Sequence, residues 1–208
     1  LGAFSTTVLR VTGAEGIPVG ATAAMLNVTS VFPDYNGFVS VYPCDAPMPT
    51  VSSLNPSMWT ITPNNVVTPI AADGTVCIYT STPVDLVVDI TGSVNEVATH
   101  DYVPAAPFRL TDTRDRLRIE MQGGVNGLLV AQGQTLVIQV AGTRGIAAGA
   151  KGISANFTAV GASTWGYLTV WPCGERPTTS VVNFVPLNAI ANGAQVPLSA
   201  SGQLCVYA

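Results

Sequence analysis

The chain has 208 residues, 48% hydrophobic and only 10% charged, with a formal net charge of −4. So much apolar content with so little net charge excludes an intrinsically disordered chain, and the charged fraction is far below the roughly 25% of an average soluble domain. One lysine, Lys151, and seven arginines leave no basic face from which counterions would be displaced, which argues against nucleic acid as a partner.

Every apolar run is interrupted well short of the roughly 20 residues needed to cross a bilayer, so no membrane span is expected. The chain begins at Leu1 without a methionine, as expected of a processed or excised product.

In chain order, short β-prone runs separated by Gly, Pro and Asn/Asp turns predict strands over 4–12, 22–31, 37–43, 50–54, 65–71, 75–80 and 84–92. The last run is the clearest. In DLVVDITG (85–92), Leu86, Val88 and Ile90 share one face against Val87, Asp89 and Thr91. Further strands are predicted over 107–111, 134–142, 152–160, 166–172, 178–183, 194–198 and 203–207. AADGT (71–75) and SASGQ (199–203) read as hairpin-like turns, since glycine takes positive φ at no steric cost.

The second series repeats the first. A shift of 129 residues places Asn27 on Asn156, Thr29 on Thr158, Gly37 on Gly166 and Cys44 on Cys173. After one deletion, a shift of 128 places Asn55 on Asn183, Asn64 on Asn192, Gly74 on Gly202 and Cys77 on Cys205. A period of domain size predicts tandem domains and excludes a solenoid of short repeats. The expected architecture is all-β: two tandem β-sandwich domains, Ig-like or jelly-roll-like, over residues 1–94 and 107–208, joined by a linker at 95–106.

Four cysteines allow three pairings. Near-equal separations in the two matching halves favour Cys44–Cys77 and Cys173–Cys205, one disulfide per domain, and disulfides imply an oxidising, extracellular compartment. Zinc is the competing reading. There is no CxxC, however, and the single histidine, His100, lies between the halves.

The ends of the repeats do not match. DLVVDITG closes the first repeat, and the second stops where its own copy would begin. PFRLTDTRD (107–115) opens the second repeat, and nothing equivalent precedes Leu1. A fragment of a longer array, unequal domains, or strands supplied by neighbouring chains would each account for this.

The pattern RL-x-DTR, a V-x-G…G-x-x-AGA strand, GY-x-TV-x-PCG-x-RPT, a Gly-x-x-C-x-Y turn and DLVVDITG resembles the tandem β-repeat of secreted and cell-surface actinobacterial proteins. The resemblance covers nearly the whole chain outside the linker. It implies a bacterial surface location and a modular build, and supplies no catalytic residues.

Chemistry is sparse in this sequence, and no enzyme activity, cofactor or metal site is expected. His100 sits beside Asp101 in the linker with no nucleophile motif. The acids Asp34, Asp45, Asp73, Glu15 and Glu175 fall in loops, and none recurs at its partner position. Asp85 and Asp89 offer calcium two ligands of the six to eight it takes.

The stretch 109–120 holds 7 of the 20 charges. Asp112, Arg114 and Asp115 are expected to form inter-domain ion pairs, with recognition of an anionic polymer as the functional alternative. Asn27 and Asn156 lie in sequons but inside strands, and are expected to be buried and to satisfy neighbouring backbone groups.

Tyr42, Trp171, Phe38 and Tyr167 recur between the halves and are expected to pack in the core or against the disulfides. Trp59 and Trp165 have no aromatic counterpart, which makes them the candidates for stacking on a sugar.

The function expected from these features is a secreted, non-enzymatic structural protein of the bacterial surface, the protomer of a fibre or array that self-associates head-to-tail by strand complementation. A carbohydrate-binding or adhesive module attached to cell-wall glycan is the alternative.

Overall fold

The computed structural model describes residues 1–13, 17–96, 102–103, 108–113 and 130–208. Among these the fold is all-β, with no helix and twelve strands. The N-terminal set comprises β1 (Ser5–Arg10), β2 (Ala23–Val31), β3 (Val39–Pro43), β4 (Ile61–Pro69), β5 (Thr75–Thr80) and β6 (Asp85–Val94). The C-terminal set comprises β7 (Thr135–Gln139), β8 (Gly152–Val160), β9 (Gly166–Trp171), β10 (Val182–Phe184), β11 (Ala189–Pro197) and β12 (Gln203–Tyr207). The bounds of β8 are those of β2 shifted by 129, and the bounds of β11 are those of β4 shifted by 128.

In the N-terminal set, a sheet of order β1-β5-β3 faces one of order β4-β2-β6, with every pairing antiparallel. Alternation puts Ala24, Leu26 and Val28 of β2 into the space between the sheets. They meet Val39 and Val41 of β3, Val76 and Ile78 of β5, and Leu86, Val88 and Ile90 of β6. The C-terminal set has a sheet of order β10-β9-β12-β7 and a second sheet of only two strands, β11-β8. Its core gathers Ile138, Val140, Val170, Val182, Ala194, Val196, Leu204 and Val206.

Each disulfide ties the corner after the third strand of a set to the middle of the neighbouring strand. Cys44–Cys77 and Cys173–Cys205 form as expected, each with Cα atoms 4.9 Å apart. The turns at Gly74 (φ 86°) and Gly202 (φ 75°) take the positive φ expected of them. They are not hairpins, however. β4 and β5 belong to different sheets, as do β11 and β12, so each turn carries the chain across the sandwich. A Cβ at Gly74 would overlap the Thr12 side chain, and one at Gly202 would overlap Ala141.

Four expected strands come out differently. Residues 50–54 contribute only an isolated bridge, Leu54 to Val39, because Ser40 and Val41 hold this segment through side-chain bonds to Val51 and Ser53. Residues 108–111 are not in a strand. β4 and β11 start four to five residues earlier than expected. Pro63, Asn64 and Asn65 read as turn formers, yet β4 is an edge strand whose odd-numbered amides face away from β2, so Pro63 removes no ladder bond.

Breaking a disulfide lengthens the free chain in the unfolded state by a loop of 32 or 33 residues. The double variant Cys44→Ser, Cys77→Ser is expected to lose about 3–4 kcal/mol in urea unfolding. Leu26→Ala, at a fully buried site, is expected to lose about 3–5 kcal/mol.

Candidate functional site

Two of the described carboxylates are spent on loops. Asp45 accepts the Ala72 amide at 2.9 Å, and Asp73 accepts both the amide and the hydroxyl of Thr75 at 3.2 and 2.6 Å. Among the described residues no three His, Cys, Asp or Glu side chains come together as a metal cluster would require. His100, Arg114 and Asp115 lie outside the described residues. Asp112 pairs with Arg109 three residues earlier at 2.5 Å. An open depression of about 380 Å³ beside the Gly74 turn is lined by Arg10, Val19, Ile70 and Asp73 among others.

The aromatic candidates are exposed. Trp59 is 67% and Trp165 55% accessible, and the fold brings the loops that carry them to one place. The Trp165 ring tilts onto Phe32 at 5.9 Å, and the Trp59 amide donates to the carbonyl of the next residue, Pro33, at 2.9 Å. Sequence comparison of the halves singled out both tryptophans but missed Phe32, which has Gly161 as its counterpart.

Of the recurring aromatics, Trp171 is buried, and its indole N–H donates to Gly174. Phe38 and Tyr167 do not follow the expected core packing. They stay partly exposed and lean on Tyr79 and Tyr207, at 5.7 and 6.1 Å.

The two sets meet through asparagines. The Asn192 amide donates to Asn27 Oδ1 at 2.7 Å and to the Val181 carbonyl at 2.8 Å, and its own oxygen accepts the Asn65 amide at 2.8 Å. Asn27 in turn donates to the Ser180 carbonyl at 2.7 Å, and Asn65 donates to Gln195 at 2.9 Å. Asn27 and Asn192 are both buried, so these bonds satisfy groups that water no longer reaches.

Their counterparts stand in the same local poses without that cover. Asn64 donates to the Ser53 carbonyl as Asn192 does to Val181, and Asn156 approaches Thr158 Oγ1 at 3.4 Å as Asn27 approaches Thr29 Oγ1 at 3.5 Å. Both Asn64 and Asn156 are exposed. The expectation of a buried asparagine therefore holds for Asn27 and is corrected for Asn156.

The third feature is an unequal sheet. β2 pairs with β4 on one side and β6 on the other. Among the described residues β8 pairs with β11 alone. Burial follows pairing. The inward residues of β2, Ala24, Leu26, Val28 and Ser30, are fully buried, whereas Ile153, Ala155, Phe157 and Ala159 of β8 are half-buried. Among the described residues, no strand covers in the second core the flank that Leu86, Val88 and Ile90 cover in the first.

On β6, Asp89 stands opposite Asn27. Burial raises its pKa above the ordinary 3.8, and a hydrogen bond from the Asn27 side chain partly opposes the rise.

A raised native pKa means that the folded chain holds this proton more tightly than the unfolded chain. The Asp89 contribution to stability is thus largest below pH 3.8 and declines as pH rises to the elevated native value. Asp89→Asn is expected to flatten that part of the stability–pH curve and to raise stability at pH 7, as read by urea melts at several pH values. Asn192→Ala strands Asn27 Oδ1, the Asn65 amide and the Val181 carbonyl, with an expected loss of about 2–4 kcal/mol. Asn64→Ala, at the exposed equivalent position, is expected to lose less than about 1 kcal/mol.

No protein-family model, no curated protein and no solved structure matches this chain. Its function has to be read from its own geometry.

Proposed function

We propose that this chain is a secreted, non-enzymatic structural protein of the bacterial surface, built of two tandem β-sandwich modules and joined to its neighbours by strand complementation. The observation that carries this reading is that β8, nine residues long, pairs on one side only among the described residues, beside a half-buried apolar flank. Such an edge is a ready template for another strand, and proteins that use it otherwise blunt it with charge, proline or a bulge. β8 carries none of these: GISANFTAV has no charged residue and no proline. Acceptor edge and donor strand are different surfaces, so contact between identical chains is head-to-tail and propagates without closing.

Extracellular placement is supported by the two disulfides. No helix among the described residues is long and apolar enough to cross a membrane, which leaves β-barrels untouched.

A second reading rests on the exposed rings of Trp59 and Trp165, the latter against Phe32, with the Trp59 backbone bonded to Pro33. It is a carbohydrate-binding module in which exposed rings stack on sugar faces.

Sedimentation velocity from micromolar to millimolar concentration separates the two readings. A fibre protomer gives an open-ended series of species that grows with concentration. A single monomer species throughout overturns the fibre reading. Saturable binding to cell-wall glycan, lost in Trp59→Ala and Trp165→Ala with unchanged melting temperature, establishes the carbohydrate reading in its place.

A further inference from the structure

One turn with an unusual backbone recurs in the two sets. Trp59 and Leu187 are equivalent positions, 128 residues apart, and both are left-handed, with φ 59° and 65°. Each amide donates at 2.9 Å to the carbonyl of an equivalent residue, Pro33 for Trp59 and Ala162 for Leu187. The bond ties the loop before β4 to the loop after β2, and the loop before β11 to the loop after β8. A bulky side chain in this region crowds its own carbonyl, and a glycine would hold the turn without that cost. Burial does not offset it: Trp59 is 67% and Leu187 85% exposed.

The equivalent of Phe32 is Gly161, and both take positive φ, 41° and 66°. The second set thus forms this loop with the residue that suits it, and the first places an aromatic ring there, 52% exposed. What Phe32 gains is Trp165, whose ring it meets at 5.9 Å across the two sets. The Phe32 amide also donates at 3.0 Å to the carbonyl of Thr60, the residue after Trp59. Strained backbone kept beneath exposed apolar side chains is the mark of a surface held ready for a ligand.

The chemistry of these loops restricts the ligand. Residues 32–36, 56–60, 161–165 and 184–188 contain one charged side chain, Asp34, and no cation. A phosphate- or sulfate-bearing polymer finds no charged partner in them, and neither do the headgroups of an anionic membrane. The same loops carry exposed, uncharged hydrogen-bonding side chains in Asn36, Ser57, Thr164 and Asn188. A sugar uses both features, since its C–H face packs on an aromatic ring while its hydroxyls take hydrogen bonds at the rim. A lipid tail would use the rings alone.

We propose that the loops carrying Phe32, Trp59, Trp165 and Leu187 bind an uncharged polysaccharide. Trp59 and Trp165 stack on sugar rings, and Phe32 is a positioning residue that fixes the Trp165 ring. The proposal rests on the carbohydrate reading above and deepens it: it names the charge class of the glycan, adds Leu187 and gives Phe32 a role.

The test titrates the full chain with two neutral hexasaccharides, cellohexaose and chitohexaose, with hexagalacturonate as the anionic counterpart, and with phosphatidylcholine vesicles. Calorimetric heat and tryptophan fluorescence are the readouts. The expected result is saturable binding of a neutral hexasaccharide, with hexagalacturonate about tenfold weaker or worse. Trp59→Ala and Trp165→Ala are each expected to weaken binding by about tenfold. Phe32→Gly installs the residue that the second set uses in the same conformation. It is expected to weaken binding by about fivefold with the melting temperature unchanged or raised, because strain is relieved while Trp165 loses its support. A merely structural Phe32 would lower the melting temperature.

Unchanged affinity in Phe32→Gly, or a lowered melting temperature, overturns the role given to Phe32. Hexagalacturonate binding as tightly as the neutral probes overturns the proposed class of glycan and leaves the carbohydrate reading standing. Neutral-glycan binding that survives both tryptophan substitutions overturns the site and likewise leaves a carbohydrate-binding protein. Binding to the vesicles alone, or to none of the probes, overturns the proposal and the carbohydrate reading together.

Discussion

A β-strand carries backbone donors and acceptors along both edges, and a buried strand is stable only when both edges are met. β2 meets this condition, with β4 on one side and β6 on the other. The rest of the N-terminal set follows from it: Leu26 and Val28 are sealed from water, and β6 lays three apolar side chains across the flank of the core. β8 has the same length and closely related residues, with one side met among the described residues. Its inward side chains are half-buried as a result.

The disulfides act on the other sheet of each set. Each joins the residue just past the third strand to the strand paired with it, Cys44 to Cys77 and Cys173 to Cys205. The staple holds the corner while the Gly74 and Gly202 turns carry the chain between sheets. Covalent closure thus sits in the sheet that faces β8 and β11.

The asparagines show how one residue type serves two ends. Asn27 and Asn192 lock the sets together because each has both a donor and an acceptor and is shielded from water. Asn156 and Asn64 hold the same local bonds in the open. What differs is the neighbour, and the neighbour is supplied by tertiary packing. The same holds for Trp165, which gains Phe32 as a partner across the two sets.

Much of this was legible in the chain before folding. Alternation in DLVVDITG placed Leu86, Val88 and Ile90 on one face, and the cysteine spacing led to the observed pairs. The positive-φ glycines at 74 and 202 marked real turns. Where the reading failed, local chemistry misled. Pro63 and Asn64-Asn65 looked like a turn, because a proline's cost depends on which side of the strand its missing amide would face. Residues 50–54 alternate like a strand, yet side chains hold them in place of a ladder.

By itself the sequence determined the β architecture, the staples and the inward-facing residues, since these depend on period, spacing and backbone freedom within short segments. Only the tertiary structure decided which asparagine is buried, which sheet each turn leads to and which side of β8 meets β11. Those outcomes depend on contacts between residues far apart in the chain, 165 positions for Asn27 and Asn192, and no local pattern encodes them.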